Sequence, residues 1–341
     1  MPSPDRSVPM PVKNWSFAGL LITYRCNARC QSCYLSCGPQ RQEEMTVASA
    51  VGIWEGLVRA GPRGCRIHLS GGEPFGNWPL LLGIARAAKQ AGLAPLEKVE
   101  TNAFWADSRD GVADRLRALS EAGMQRLSIS ADPYHQQFVP LERARLAAAV
   151  AEEVLGPDRV QVRWRDWLED GFDTGSLSPA DREQVFLRFA AGRRDRMNGR
   201  AAMRLAGRLV LKPLLPLSDS PCREPLLRSR HVHVDPAGRI MPGTCAGILL
   251  GRCGGQSVAD EWRRLAADHA SRAIVGPLAR GGPAALLEAA RAAGFQPRDG
   301  YAGKCHLCWD IRRFLAGKGL HGEEIGPAWM YQDEGACGTG F

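Results

Sequence analysis

TYRCNARCQSCYLSCGP, from Thr23 to Pro39, sets Cys26, Cys30 and Cys33 at the spacing C-x3-C-x2-C, with Tyr34 directly behind. Soft thiolate donors select iron–sulfur clusters, zinc or copper(I). Three thiolates in one short loop can grip a face of an iron–sulfur cube and leave its fourth iron without a protein ligand. A structural zinc asks for four ligands, and Cys37 extends the run to C-x3-C-x2-C-x3-C ahead of Gly38-Pro39. A fourth thiolate would close the site. Taken alone, the loop leaves an open cluster, a zinc brace and a plain electron carrier all standing.

The surrounding chain narrows the choice. Its 341 residues, 45% hydrophobic and 23% charged, match an ordinary globular protein with one large domain and a smaller one. The opening MPSPDRSVPMPVKNW has no apolar core for a secretory signal, and no run of about 18 apolar residues offers a membrane span. A cytoplasmic location is expected, and eleven cysteines there point to metal rather than disulfides. The net charge of +8 suits an anionic substrate or an acidic redox partner. Arg196, Arg200, Arg204 and Arg208 recur every four residues. They read as a solvated face, with no argument for nucleic-acid binding.

From Phe17, short apolar runs alternate with helical periodicity. FAGLLIT, CRIHLS, EKVETN, RLSIS, RVQVRW and RLVLKP read as six strands. Helices are expected over Thr46–Ala60, Asn77–Ala91, Arg109–Ala122, Leu141–Val154 and Asp181–Ala191. That order implies βαβ units and a parallel sheet. One strand face is polar: His68 and Ser70, Glu100 and Asn102, Ser128 and Ser130, then Gln161, Arg163 and Arg165. The other carries Ile67, Leu69, Val99, Leu127, Ile129, Val160 and Val162. Helices should cover the apolar face and leave the polar face lining a wet interior. An incompletely closed, TIM-like (β/α)6 barrel accommodates this.

Ligands in such folds bind at the carboxyl ends of the strands. There Ser70-Gly71-Gly72-Glu73-Pro74 follows the second strand; paired glycines admit close backbone approach, and Glu73 could pair with an ammonium. The cysteine run and this GGEP sequence together resemble the radical S-adenosylmethionine (SAM) superfamily. In that family the open iron is chelated by the amino and carboxylate groups of SAM. Reductive cleavage then releases a 5′-deoxyadenosyl radical that abstracts hydrogen from a substrate. The run with Cys37 also resembles a bacterial ferredoxin sequence, which would only carry electrons. The radical SAM resemblance implies SAM contacts from Tyr34, Gly71, Gly72, Glu73 and Pro74, and from Ser130 and Asp132 in SISAD. Asn102 and Gln161 or Arg163 are expected to face the same cofactor. Turn caps account for Ser, Asp and Asn at such places as readily. His135, in the loop after the fourth strand, is a candidate proton donor or acceptor.

After Leu217 the pattern changes. A connector, Ser218–Pro225, leads to HVHVDPAGRIMP, a β-hairpin turning at Asp235–Gly238. Cys222 precedes it, Cys245 follows, and Cys305-His306-Leu307-Cys308 comes after three helical segments. This order resembles the Twitch domain, the shortened SPASM form, which implies one auxiliary [4Fe–4S] cluster on Cys222, Cys245, Cys305 and Cys308. Four thiolates suit zinc equally well, and Cys253 could replace one of the four. Cys65 reads as a buried core thiol. Cys37 and Cys337 have no assigned part. The expected organisation is a tail over 1–16, a barrel over 17–217 and a small α+β cap with the hairpin over 218–341.

The resemblance implies an enzyme supplied with electrons by a donor such as a flavodoxin or ferredoxin. The auxiliary cluster would assist redox, as in the Twitch alcohol dehydrogenases, or serve as a substrate anchor or sulfur donor. The polar lumen and the short segment before the first strand favour a small sugar, aminocyclitol or nucleoside-like substrate over a peptide. A peptide (RiPP) maturase and a non-enzymatic electron-transfer protein are the alternatives.

Overall fold

The computed structural model describes residues 11–93, 95–192, 196–214, 220–253 and 257–332. Five parallel strands follow the expected order: β1 (Phe17–Thr23), β2 (Arg66–Gly71), β3 (Leu96–Thr101), β4 (Leu127–Ser130) and β5 (Val160–Arg163). Between them run α1 (Val47–Ala60), α2 (Trp78–Gln90), α3 (Arg109–Glu121) and α4 (Leu141–Leu155). The starts of these helices are written locally. Thr46 and Ser49 exchange side-chain-to-backbone hydrogen bonds of 3.0 Å in a capping box, and Ser108 caps α3 through the Gly111 amide. The apolar strand face is buried as expected. Ile67, Leu69, Val99, Leu127 and Ile129 have no exposure, and α1 to α4 close over them.

The sixth strand differs from expectation. Of RLVLKP, only β6 (Lys212–Pro213) is extended, and it pairs antiparallel with β10 (Gly300–Tyr301), away from the main sheet. The free edge of β1 is taken instead by β7 (His231–Val234), which runs parallel to it and pairs Phe17 with His231 and Gly19 with His233. β8 (Arg239–Pro242) completes the expected hairpin, and β9 (Gly251–Arg252) ends an eight-stranded sheet ordered β5-β4-β3-β2-β1-β7-β8-β9. The hairpin turn is fixed by buried Asp235, which accepts from the Ala237 and Arg239 amides and pairs with the Arg239 guanidinium at 2.6 Å. Tyr24 of the cysteine loop donates its hydroxyl to the same carboxylate at 3.0 Å. The C-terminal part is thereby tied directly to the loop that opens the chain's chemistry.

Four further helices complete the frame used below: α5 (Arg165–Asp170), α6 (Pro179–Gly192), α7 (Arg200–Arg204) and α8 (Val258–Asp268), the last packing on α1. α9 (Val275–Ala292) breaks at Gly282-Pro283, so the three expected helical segments between Cys245 and Cys305 are present. Its first amide, that of Val275, is capped with those of Ala273 and Ile274 by the Glu324 carboxylate. α10 (Lys304–Gly317) carries Cys305 and Cys308 in its opening turns. The expected boundary at 217/218 and Cys337 lie outside the described residues. No helix among the described residues is long and apolar enough to cross a membrane.

Candidate active site

A cavity of about 510 Å³ opens at the carboxyl ends of the strands and reaches down the polar sheet face. Cys26, Cys30, Cys33, Cys37 and Tyr34 form its roof. Ser70, Gly71, Gly72, Glu100, Asn102, Ser130, Asp132, His135 and Arg163 line its wall. The expected wet lumen is therefore present, built by the alternation read in the strands. Gln161 stands apart: it is exposed on the edge strand β5 and does not line the cavity. Arg165 leaves the lumen too, because it opens α5 and pairs with Glu152 at 2.9 Å.

The cysteine loop is held by its own backbone. The Ala28 amide donates to Cys26 Sγ and the Cys37 amide to Cys33 Sγ, each at 3.4 Å; Asn102 Nδ2 reaches Cys26 Sγ at 3.8 Å. Buried Arg200 locks the loop from α7. Its amide donates to the Cys33 carbonyl, and its guanidinium donates to those of Cys30 and Cys37 at 2.8 and 2.7 Å. The solvated arginine face expected from the four-residue spacing is thus broken at Arg200, because α7 is only five residues long and turns that side chain inward. The hydrogen-bonded Cys37 thiol, helped by Arg200, brings the Cys33 thiol down to about 5. Cys33 is therefore a thiolate at neutral pH. Burial, then Cys30 and Glu73, pushes the Cys26 thiol up. Hydrogen bonds to sulfur and nearby positive charge are the surroundings that iron–sulfur thiolates take, so the loop fits such a cluster.

Gly71 and Gly72 are explained by this loop. A Cβ on Gly72 would lie 2.0 Å from the Arg25 carbonyl oxygen, and one on Gly71 2.3 Å from that of Thr23. The amides of Gly72 and Glu73 donate to the carbonyls of Thr23 and Arg25. The glycines fuse strand end to cysteine loop while still lining the cavity. Glu73 points the other way. Its buried carboxylate accepts from Thr101 Oγ1 at 2.8 Å and from the amides of Asn102 and Phe75 at 2.7 and 3.2 Å. It braces three elements, and neither it nor Pro74 lines the cavity. Burial raises its carboxyl to about 7 against those three donors.

Asp132 likewise serves its own turn. Its Oδ1 accepts from the Tyr134 and His135 amides, and its Oδ2 meets His135 Nδ1 at 2.8 Å. Burial opposes a proton on His135, but Asp132 and then Cys30 outweigh it and raise the imidazole. His135 is therefore a cavity-lining group beside the cysteine loop that holds its proton more tightly than a free imidazole, at the place where a proton donor or acceptor was expected.

Cys222, Cys245, Cys305 and Cys308 gather outside this cavity. Burial followed by the charges of Cys308, Cys245 and Cys305 raises the Cys222 thiol to about 12; burial, then Cys245 and Cys308, raises Cys305 to about 11. Arg312, almost fully buried one turn beyond Cys308, donates to the Ala246 carbonyl at 3.0 Å and to Tyr331. Arg196 reaches Cys245 Sγ at 4.0 Å. Cys253 lies apart, against the hairpin turn, where its electrostatic neighbours are Glu261 and Asp235. Cys65 is buried in the core, as expected.

Sequence reading missed Thr101, Arg200, Arg312, His231 and His233. The histidines had a signal: they alternate in HVHV at the spacing that puts both on one strand face.

Residues 20–152 match the family model described as the Radical SAM superfamily. No curated protein matches the chain. Similar solved structures include BtrN in complex with AdoMet and 2-DOIA, 17% identical over 80% of this chain and 90% of that one, with a TM-score of 0.44. Another is anSMEcpe with bound AdoMet and Cp18Cys peptide, at 12% identity over 90% and 98% and a TM-score of 0.43. Streptococcus suis SuiB bound to S-adenosylmethionine is 12% identical over 74% and 66%, with a TM-score of 0.37. The cysteine loop, the Gly71-Gly72 turn and the β4 loop all fall within the matched span. The chain carries a radical SAM domain and is an enzyme of radical chemistry.

Proposed function

We propose that Cys26, Cys30 and Cys33 hold a [4Fe–4S] cluster whose fourth iron takes SAM, and that the substrate is a small polar metabolite of the sugar, aminocyclitol or nucleoside type. One observation carries this reading: the three thiols, the Gly71-Gly72 backbone, Asn102, Ser130 and Arg163 share the wall of a single cavity. Its volume falls within the ~300–1,000 Å³ usual for small-molecule sites. When bound, the cluster and SAM supply reductive cleavage to a 5′-deoxyadenosyl radical. The chain's part is to position and exclude. Gly71 and Gly72 let the SAM end of the cavity close against the cysteine loop. Asn102 steers Cys26, Tyr34 covers the lumen, and Ser70, Glu100 and Arg163 offer donors and acceptors for a hydroxylated substrate. His135 is the proton-bearing group in the wall beside the cysteine loop.

The second cysteine set, within a domain over 218–341, is read as an auxiliary [4Fe–4S] site that assists redox by taking or relaying an electron. Four tetrahedral thiolates on zinc at about 2.3 Å stand close together. The resemblance to the Twitch arrangement, rather than the thiolates themselves, favours the iron–sulfur reading.

Anaerobic reconstitution with iron and sulfide tests the reading. Wild type should bind about eight irons and a Cys26/Cys30/Cys33→Ala variant about four. Incubation of wild type with SAM and reductant should give 5′-deoxyadenosine. Two closed clusters with no deoxyadenosine would make the protein an electron carrier. External electrons consumed one per substrate would count against an oxidation in which the substrate's electron is recovered.

A further inference from the structure

Deep in the same cavity, three imidazoles from distant parts of the chain converge. His68 comes from β2 and His231 and His233 from β7, on either side of β1. One ring nitrogen of each lies within 4.8 Å of the other two. Their ring centroids are 4.7 to 5.5 Å apart, and Phe17 packs against His68 and His231. The backbone makes room for them. A Cβ on Gly19 would lie 2.4 Å from His233 Cδ2 and 2.5 Å from His68 Nε2; one on Gly243 would lie 2.3 Å from His231 Nδ1.

We infer that His68, His231 and His233 form a binding site for a divalent first-row transition-metal ion, with an open coordination position facing the cavity. Imidazole suits zinc, copper, iron and nickel, and three nitrogen ligands leave a fourth position for water or substrate. His68, only 1% exposed, keeps Nδ1 buried without a hydrogen-bond partner, and so does His231 at Nε2. Such orphaned buried nitrogens are rare, and an ion is one of the few things that satisfies them. Burial works against a proton on each ring, and a neutral imidazole offers one lone-pair nitrogen to an ion. Glu100 adds negative charge near all three, partly offset by Lys98, which meets that carboxylate at 2.6 Å. Bonds of about 2.0–2.1 Å require the nitrogens to close up modestly by ring rotation. That the ion anchors a substrate hydroxyl or amine below the radical rests on the proposed function; that it binds does not.

The test is zinc added stoichiometrically to protein already loaded with iron and sulfide, followed by dialysis, metal counting and zinc X-ray absorption. The expected result is one zinc per chain with a nitrogen/oxygen shell showing imidazole scattering. His231→Gln and His68→Asn should each weaken zinc binding by more than ~100-fold, beyond the 10–100-fold cost of losing an outer partner. Zinc that washes out, a sulfur shell near 2.3 Å, or unchanged affinity in both variants would overturn the site. Iron counted in the same samples reports separately on the cysteine clusters and on the folding of each variant.

Discussion

The two cysteine sets are built in opposite ways. Cys26, Cys30 and Cys33 lie within eight residues and face the cavity, and Cys26 and Cys33 take hydrogen bonds on sulfur from their own loop. Cys222, Cys245 and the Cys305/Cys308 pair come from three separated segments, are steadied by Arg196 and Arg312, and do not line that cavity. A ligand set contained in one loop can leave a corner open, because the loop's shape does not depend on the metal's being fully enclosed. A set gathered from distant segments is held in place by the packing of those segments. The first arrangement is consistent with the proposed open cluster, and the second with the proposed auxiliary cluster.

Substitutions in each set should separate these roles. Cys33→Ser removes the ligand already poised as a thiolate. Deoxyadenosine formation should fall to background and iron from about eight to about four per chain. Full activity in that variant would break the contrast at its root. In the assembled set the sensitive element is the buried guanidinium. Arg312→Met leaves the Ala246 carbonyl and Tyr331 without their donor and should cost about 1–3 kcal/mol of stability for each group left unsatisfied, measured by denaturant unfolding of the cluster-loaded protein. A cost under about 1 kcal/mol would mean that the segments hold themselves.

A smaller effect belongs to the brace beneath the first loop. Glu73 has its carboxyl raised to about 7, so between about pH 4.5 and 7 the folded protein keeps a proton that the unfolded chain has lost. Its stabilising contribution is complete below that window and declines as pH rises through it, by at most about 3 kcal/mol. Glu73→Gln should flatten this slope in unfolding measured at pH 5 and pH 7. An unchanged slope would place the titration elsewhere.

Much of this was legible beforehand. β1 to β5 and their helices follow from local periodicity and caps such as Thr46–Ser49, and the polar lumen follows from alternation within each strand. The sixth strand was not legible, because an apolar run does not reveal a competitor. His231–Val234 takes the edge of β1 through pairing more than 200 residues away in the chain. The histidine site is hidden for the same reason. The inward turn of Glu73 depends on donors at Thr101 and Asn102 that only the folded neighbour β3 supplies.

Cys37 is where the comparison is narrowest, since its buried thiol stands beside Cys33 and could turn an open corner into a closed one. The deciding measurement is the electron paramagnetic resonance spectrum of the reduced first cluster, with and without SAM, in wild type and Cys37→Ala. The account predicts a SAM-dependent change of equal size in both proteins, with unaltered iron content. A wild-type spectrum indifferent to SAM, together with loss of about four irons in Cys37→Ala, would contradict it.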